Sequence, residues 1–198
     1  MKKQCIGLLI VAAACAAQAQ SNDFAGFSLG AKLAMNAGSL SSNDGTTSVD
    51  GYGQQSVGAG GFAAYGLSLG SNSVLTLGFD YSFSDMKAGD NKSNGTTNKL
   101  QNLWSLSIAP GTLLNDKTMA YFKLGFENGR AVIFNGSELT KNITGSSWGL
   151  GLKTLMDKNT YVQVEVKQTN FGSAQIDGTS TDFTARGTAG SLGVGFSF

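Results

Sequence analysis

From Phe27 to the C-terminus, apolar residues alternate with polar or small ones at a period of two, and no stretch holds a convincing period of 3.6. Such a pattern predicts strands with two unlike faces. Phe27, Leu29, Ala31, Leu33 and Met35 alternate with Ser28, Gly30, Lys32, Ala34 and Asn36; Leu75, Leu77, Phe79, Tyr81 and Phe83 alternate with Thr76, Gly78, Asp80, Ser82 and Ser84. The alternation returns at Phe122 to Phe126, Val162 to Val166 and Leu192 to Phe198, and more weakly at Tyr65 to Leu69, Trp104 to Ile108 and Trp148 to Leu152. Eight strands are predicted and the chain reads as all-β.

The connections alternate in length. Residues 70–73, 115–117 and 156–159 are tight turns rich in Gly, Asn, Asp and Ser, whereas 37–55, 85–98, 129–146 and 172–186 are long and polar. Short and long connections in strict alternation predict an eight-stranded antiparallel up-and-down transmembrane β-barrel, because about 10 residues tilted about 45° suffice to cross a bilayer as a strand.

Residues 1–19 read as an export signal: Lys2 and Lys3, then an apolar or small run from Cys5 to Ala17, then the small-x-small site Ala17-Gln18-Ala19. The run is too short for a membrane-spanning helix, which needs roughly 20 apolar residues. Residues 20–198 then form a single barrel domain. Both cysteines lie in the signal, so the mature chain has no thiol chemistry.

Composition decides which face is outside. Only 14% of residues are charged, and the polar face is mostly Gly, Ser, Ala and Thr, whereas water-facing surfaces carry about 25 to 35% charge. Small residues suit the narrow interior of an eight-stranded barrel. The same face carries Lys32, Lys123, Lys153 and Lys167 with Asp80, Glu127 and Glu165, so a lumenal ion-pair network of these seven is predicted. On the apolar face, Tyr81, Phe83, Trp104, Phe126 and Trp148 fall toward the long connections, and Phe27 and Phe196 toward the other end, as interfacial aromatic girdles would.

With those features the chain resembles the small outer-membrane β-barrel proteins of Gram-negative bacteria, the group of the OmpA transmembrane domain, OmpX and the opacity-type proteins. The final strand, Leu192-Gly193-Val194-Gly195-Phe196-Ser197-Phe198, carries the resemblance furthest. The resemblance implies that terminal Phe198 is part of the signal read by the barrel-assembly machinery. It also implies contact with outer-membrane lipid and lipopolysaccharide, periplasmic termini and extracellular long loops.

Candidate chemistry is sparse. The chain has no His, which removes the usual general base and imidazole ligand, and the omptin proteases and other barrel enzymes of this membrane use one. Gly58-Ala59-Gly60-Gly61-Phe62-Ala63 imitates a dinucleotide fingerprint but no helix follows; Asp90 to Gly95 begins like a calcium loop, yet Lys92 stands at a ligand position and Gln101 where a bidentate Glu is required. No catalytic residue, metal site or cofactor is predicted, and a net charge of +1 gives no basic field for nucleic acid. The expected function is a non-enzymatic scaffold presenting four extracellular loops to an unknown surface ligand, with a small porin-like channel as the alternative.

Overall fold

The computed structural model describes residues 23–43, 48–91, 96–134, 138–175 and 182–198. Residues 1–19, expected to be an export signal, lie outside them. Ten strands are present: β1 (Gly26–Asn43), β2 (Ser48–Ser68), β3 (Ser73–Ser82), β4 (Met86–Asn91), β5 (Thr96–Asn115), β6 (Thr118–Phe134), β7 (Glu138–Leu155), β8 (Thr160–Phe171), β9 (Ala174–Gln175) and β10 (Asp182–Ser197). Because β3 and β4 both pair with β5, and β8 and β9 both pair with β10, they form eight staves. Every neighbour is antiparallel, and β1 closes on β10 from Ser28↔Ser197 to Asn43↔Asp182. The fold is a closed, all-antiparallel up-and-down barrel.

Its surface is inverted relative to a water-soluble barrel. Leu33 and Val166 are each 62% exposed, whereas Asp80, Glu127 and Glu165 are buried, so the apolar set of each alternating strand faces outward. Turn chemistry fixes the short connections. The Asp157 carboxylate accepts hydrogen bonds from the Asn159 and Thr160 backbone N–H groups at 2.9 and 2.7 Å, which holds its pKa below the ordinary Asp value.

Where they are described, the four polar stretches expected as long loops are largely strand. Leu40 pairs with Tyr52, Met86 with Leu100, Phe134 with Glu138 and Phe183 with Ala174. At 18 residues β1 is nearly twice the length that about 10 residues of strand need to cross a bilayer. The physical reason for the correction is that a strand leaving the apolar layer still satisfies its backbone by pairing, while its outward side chains no longer have to be apolar. What remains of those connections, 44–47, 92–95, 135–137 and 176–181, lies outside the described residues.

At that end the wall divides. β2 pairs with β3 only over Gly60–Ser68, and β7 pairs with β8 only from Gly145 to Leu155, so the upper staves form two leaves, β4–β5–β6–β7 and β8/β9–β10–β1–β2. They close on a shared apolar cluster: Met86, Ala88, Leu100 and Ile143 from one leaf, Phe171 and Ala185 from the other. These stretches therefore do carry apolar anchors, contrary to their polar composition.

A bulge in β5 helps to build that cluster. The β5–β6 register shifts between Gln101 and Trp104, and Asn102 takes φ 51°, a conformation Asn tolerates better than most residues. Leu100 and Leu103 thus both reach the inner cluster while Trp104 turns outward.

Candidate functional site

The interior is layered. At the short-turn end Phe24, Phe62, Val74, Ala109, Met119, Tyr121, Leu155 and Tyr161 form an inner apolar cluster. Its two tyrosines are seated on glycines directly across the ladder, Tyr121 on Gly151 and Tyr161 on Gly195, where an added Cβ would enter the ring. This plug was not legible from alternation, because Phe62, Val74, Tyr121 and Tyr161 sit on the inward set that elsewhere is polar. The usable signal was Gly opposite Tyr, a pairing visible only once the register is known.

Above the plug lie the charged side chains. Asp80 on β3 is ion-paired to Lys32 on β1, and its other oxygen lies 3.3 Å from Lys123 Nζ on β6. Lys123 Nζ also lies 2.7 Å from Glu165 Oε2 on β8, which accepts a 3.0 Å hydrogen bond from the Tyr121 hydroxyl. The chain Lys32, Asp80, Lys123, Glu165 and Tyr121 thus crosses the lumen from four different strands. A second group stands apart from it: Lys167 Nζ is 2.9 Å from Glu127 Oε1, which accepts a 2.7 Å hydrogen bond from Ser147.

Six of the seven residues expected in a lumenal network are brought together as ion pairs, in two groups rather than one. Lys153 is not: its ammonium rests 4.3 Å above the centre of the Tyr161 ring, and among the described residues no carboxylate lies at ion-pair distance. A cavity of about 80 Å³ lies on the side toward the divided mouth, bordered by the charged side chains Lys32, Glu127 and Lys167 and by apolar Met86, Leu103 and Phe171. A smaller one, of about 30 Å³, lies on the plug side of the ion pairs, beside Phe62 and Met119. Among the described residues no three His, Cys, Asp or Glu side chains converge on a metal position.

Outside, aromatic rings gather at two levels. Trp104 bridges Phe79 and Phe126 at 6.4 and 6.1 Å between ring centres, and Tyr81 meets Phe83 at 5.8 Å. At the short-turn end Phe198 packs on Phe196 and Phe27, at 5.2 and 5.9 Å, and its backbone N–H donates to the Phe27 carbonyl. Trp148 makes none of these ring contacts and is half exposed on the same outer wall.

Residues 6–198 match the model of the outer membrane protein beta-barrel domain. No curated protein sequence matches the chain. Among solved structures the chain is similar to Neisserial surface protein A, with a TM-score of 0.53 and 14% identity over 88% of this chain and 98% of that one. The outer membrane protein AlkL, determined in lipid bilayers, gives 0.53 and 14% over 88% and 92%. Ail, the attachment invasion locus protein of Yersinia pestis, gives 0.50 and 16% over 88% and 100%.

Proposed function

Because the chain belongs to the outer membrane β-barrel family, a family of the bacterial outer membrane, we propose that it is a non-enzymatic, solute-tight barrel whose divided end is presented outside the cell as an attachment surface. The observation that carries this reading is the closure of the lumen by an apolar cluster at each end, with ion pairs between. A water-filled path needs a polar lining throughout, and a chain of packed apolar side chains offers none. Among the described residues the inner carboxylates Asp80, Glu127 and Glu165 are each engaged by a lysine, which leaves none of them free as a general base for hydrolysis.

Surface attachment is favoured by the contrast between a rigid wall and the strand extensions beyond it, since recognition concentrates on such projections. One protein of this fold, Ail, is named for attachment and invasion. At 16% identity that name describes the relative, and for this chain it supports only the class of role.

Two measurements test the proposal. Protein refolded into a planar bilayer is expected to leave the membrane non-conducting; steady ion-selective steps that change when Lys123 or Glu127 is neutralised would replace the scaffold with a pore. For orientation, a cysteine placed at exposed Thr140 is expected to react with an impermeant thiol reagent on intact cells, and one at exposed Lys158 is not. The reverse labelling would put the divided end in the periplasm.

A further inference from the structure

The lumen of the described barrel holds four ammonium groups, Lys32, Lys123, Lys153 and Lys167, and three carboxylates, Asp80, Glu127 and Glu165. Each carboxylate has a lysine at ion-pair distance, which engages Lys32, Lys123 and Lys167 and leaves Lys153 over. Lys153 is 6% exposed, and among the described residues its ammonium has no ion-pair partner and rests on the face of Tyr161. A ring quadrupole offsets part of the cost of removing an ammonium from water, but it neither accepts three hydrogen bonds nor neutralises the charge.

Lys153 borders the cavity of about 30 Å³ on the plug side of the ion pairs, together with Thr76 and Gln163. The Thr76 hydroxyl is a second observation, independent of the charge count: it is buried and has no hydrogen-bond partner. A surplus cation and an unused O–H donor thus border the same cavity. Asp80 and Lys123 also border it, and they are paired to each other, with Lys32 on the other oxygen of Asp80.

We propose that this cavity binds one small monovalent anion, a halide such as chloride, held between the Lys153 ammonium and the Thr76 hydroxyl. Size selects a small ion, since a cavity of about 30 Å³ has room for about a water molecule or two. Charge selects it as well: one anion offsets the lysine that the three buried carboxylates leave over.

The full chain refolded and crystallised in sodium bromide tests the site by anomalous scattering. The expected result is a bromide peak in this cavity within hydrogen-bond reach of Lys153 Nζ and Thr76 Oγ1, absent at that place in Lys153→Met. An empty or water-filled cavity in the parent protein overturns the proposal, and so does a peak that persists in Lys153→Met. If Lys153→Met does not fold, Thr76→Val serves in its place, because it removes the hydroxyl and keeps the charge. A weakened bromide peak in that variant supports the site, and an undiminished one overturns it.

Discussion

Individual side chains in the lumen are the most costly to alter, because they have given up water for one another. Removing Glu127 strands Lys167, and removing Glu165 strands part of Lys123 and the Tyr121 hydroxyl. Glu127→Ala and Glu165→Ala are each expected to destabilise the barrel by about 3 to 5 kcal/mol, measured by unfolding titration in detergent or lipid. Replacing the whole Glu127–Lys167 pair by apolar residues of similar volume should cost far less, since no charge is left behind. Losses below about 0.5 kcal/mol for both single variants, the range of ordinary surface changes, would mean that the groups are solvated. Asp157 acts in the opposite setting, on an exposed turn. Its carboxyl is held below its unfolded pKa, so its contribution is present above the ordinary Asp pKa and is lost as pH falls through the lower folded value. Asp157→Asn should remove that acid-range dependence from the unfolding midpoint.

At the scale of the strand, two faces of one ladder obey different solvents. Leu77 on β3 and Leu124 on β6 lie mid-strand on the outer wall, and each is 45% exposed. An Arg at either position is expected to cost about 2 to 4 kcal/mol in a bilayer and less near the strand ends. Normal folding of both variants in lipid would show that this wall does not meet hydrocarbon. On the inner face, Gly195→Ala drives a methyl into the Tyr161 ring and should cost about 1 to 3 kcal/mol. The paired change Gly195→Ala with Tyr161→Ala should recover part of that loss in a double-mutant cycle. β5 shows how one element departs from its pattern: the bulge at Gln101 to Trp104 reverses the face of every residue beyond it.

For the whole molecule, the consequential feature is that the wall closes fully in its lower part and divides above it. Amides of Ser39, Leu40, Ser42 and Asn43, paired to both β2 and β10, should exchange slowly, whereas β4, paired only with β5, should exchange faster. Hydrogen exchange on the refolded barrel resolves this. Uniformly fast exchange over 39–43 and 86–91 would restore the reading of these stretches as loops. Truncating Phe171 to Ala should loosen the contact between the leaves, raising exchange in β4 without altering the ion-paired layer.

Alternation and the lengths of the connections determined the eight staves and their order, and composition set the outward direction of Leu33, Leu77 and Phe126, because in this barrel the solvent outside is apolar and selects every second residue. It also placed Lys32, Asp80, Lys123, Glu127, Glu165 and Lys167 on the inner face. Three things were decided only by the tertiary structure. Which lysine meets which carboxylate depends on the stagger between strands such as β1 and β3, which no local pattern encodes. The plug of Phe62, Tyr121 and Tyr161 reads locally as a break in polarity and makes sense only with Gly151 and Gly195 opposite it. The strand extensions into 37–55, 85–98, 129–146 and 172–186 were hidden because outside the apolar layer backbone pairing continues while the side-chain pattern that reveals it is no longer required.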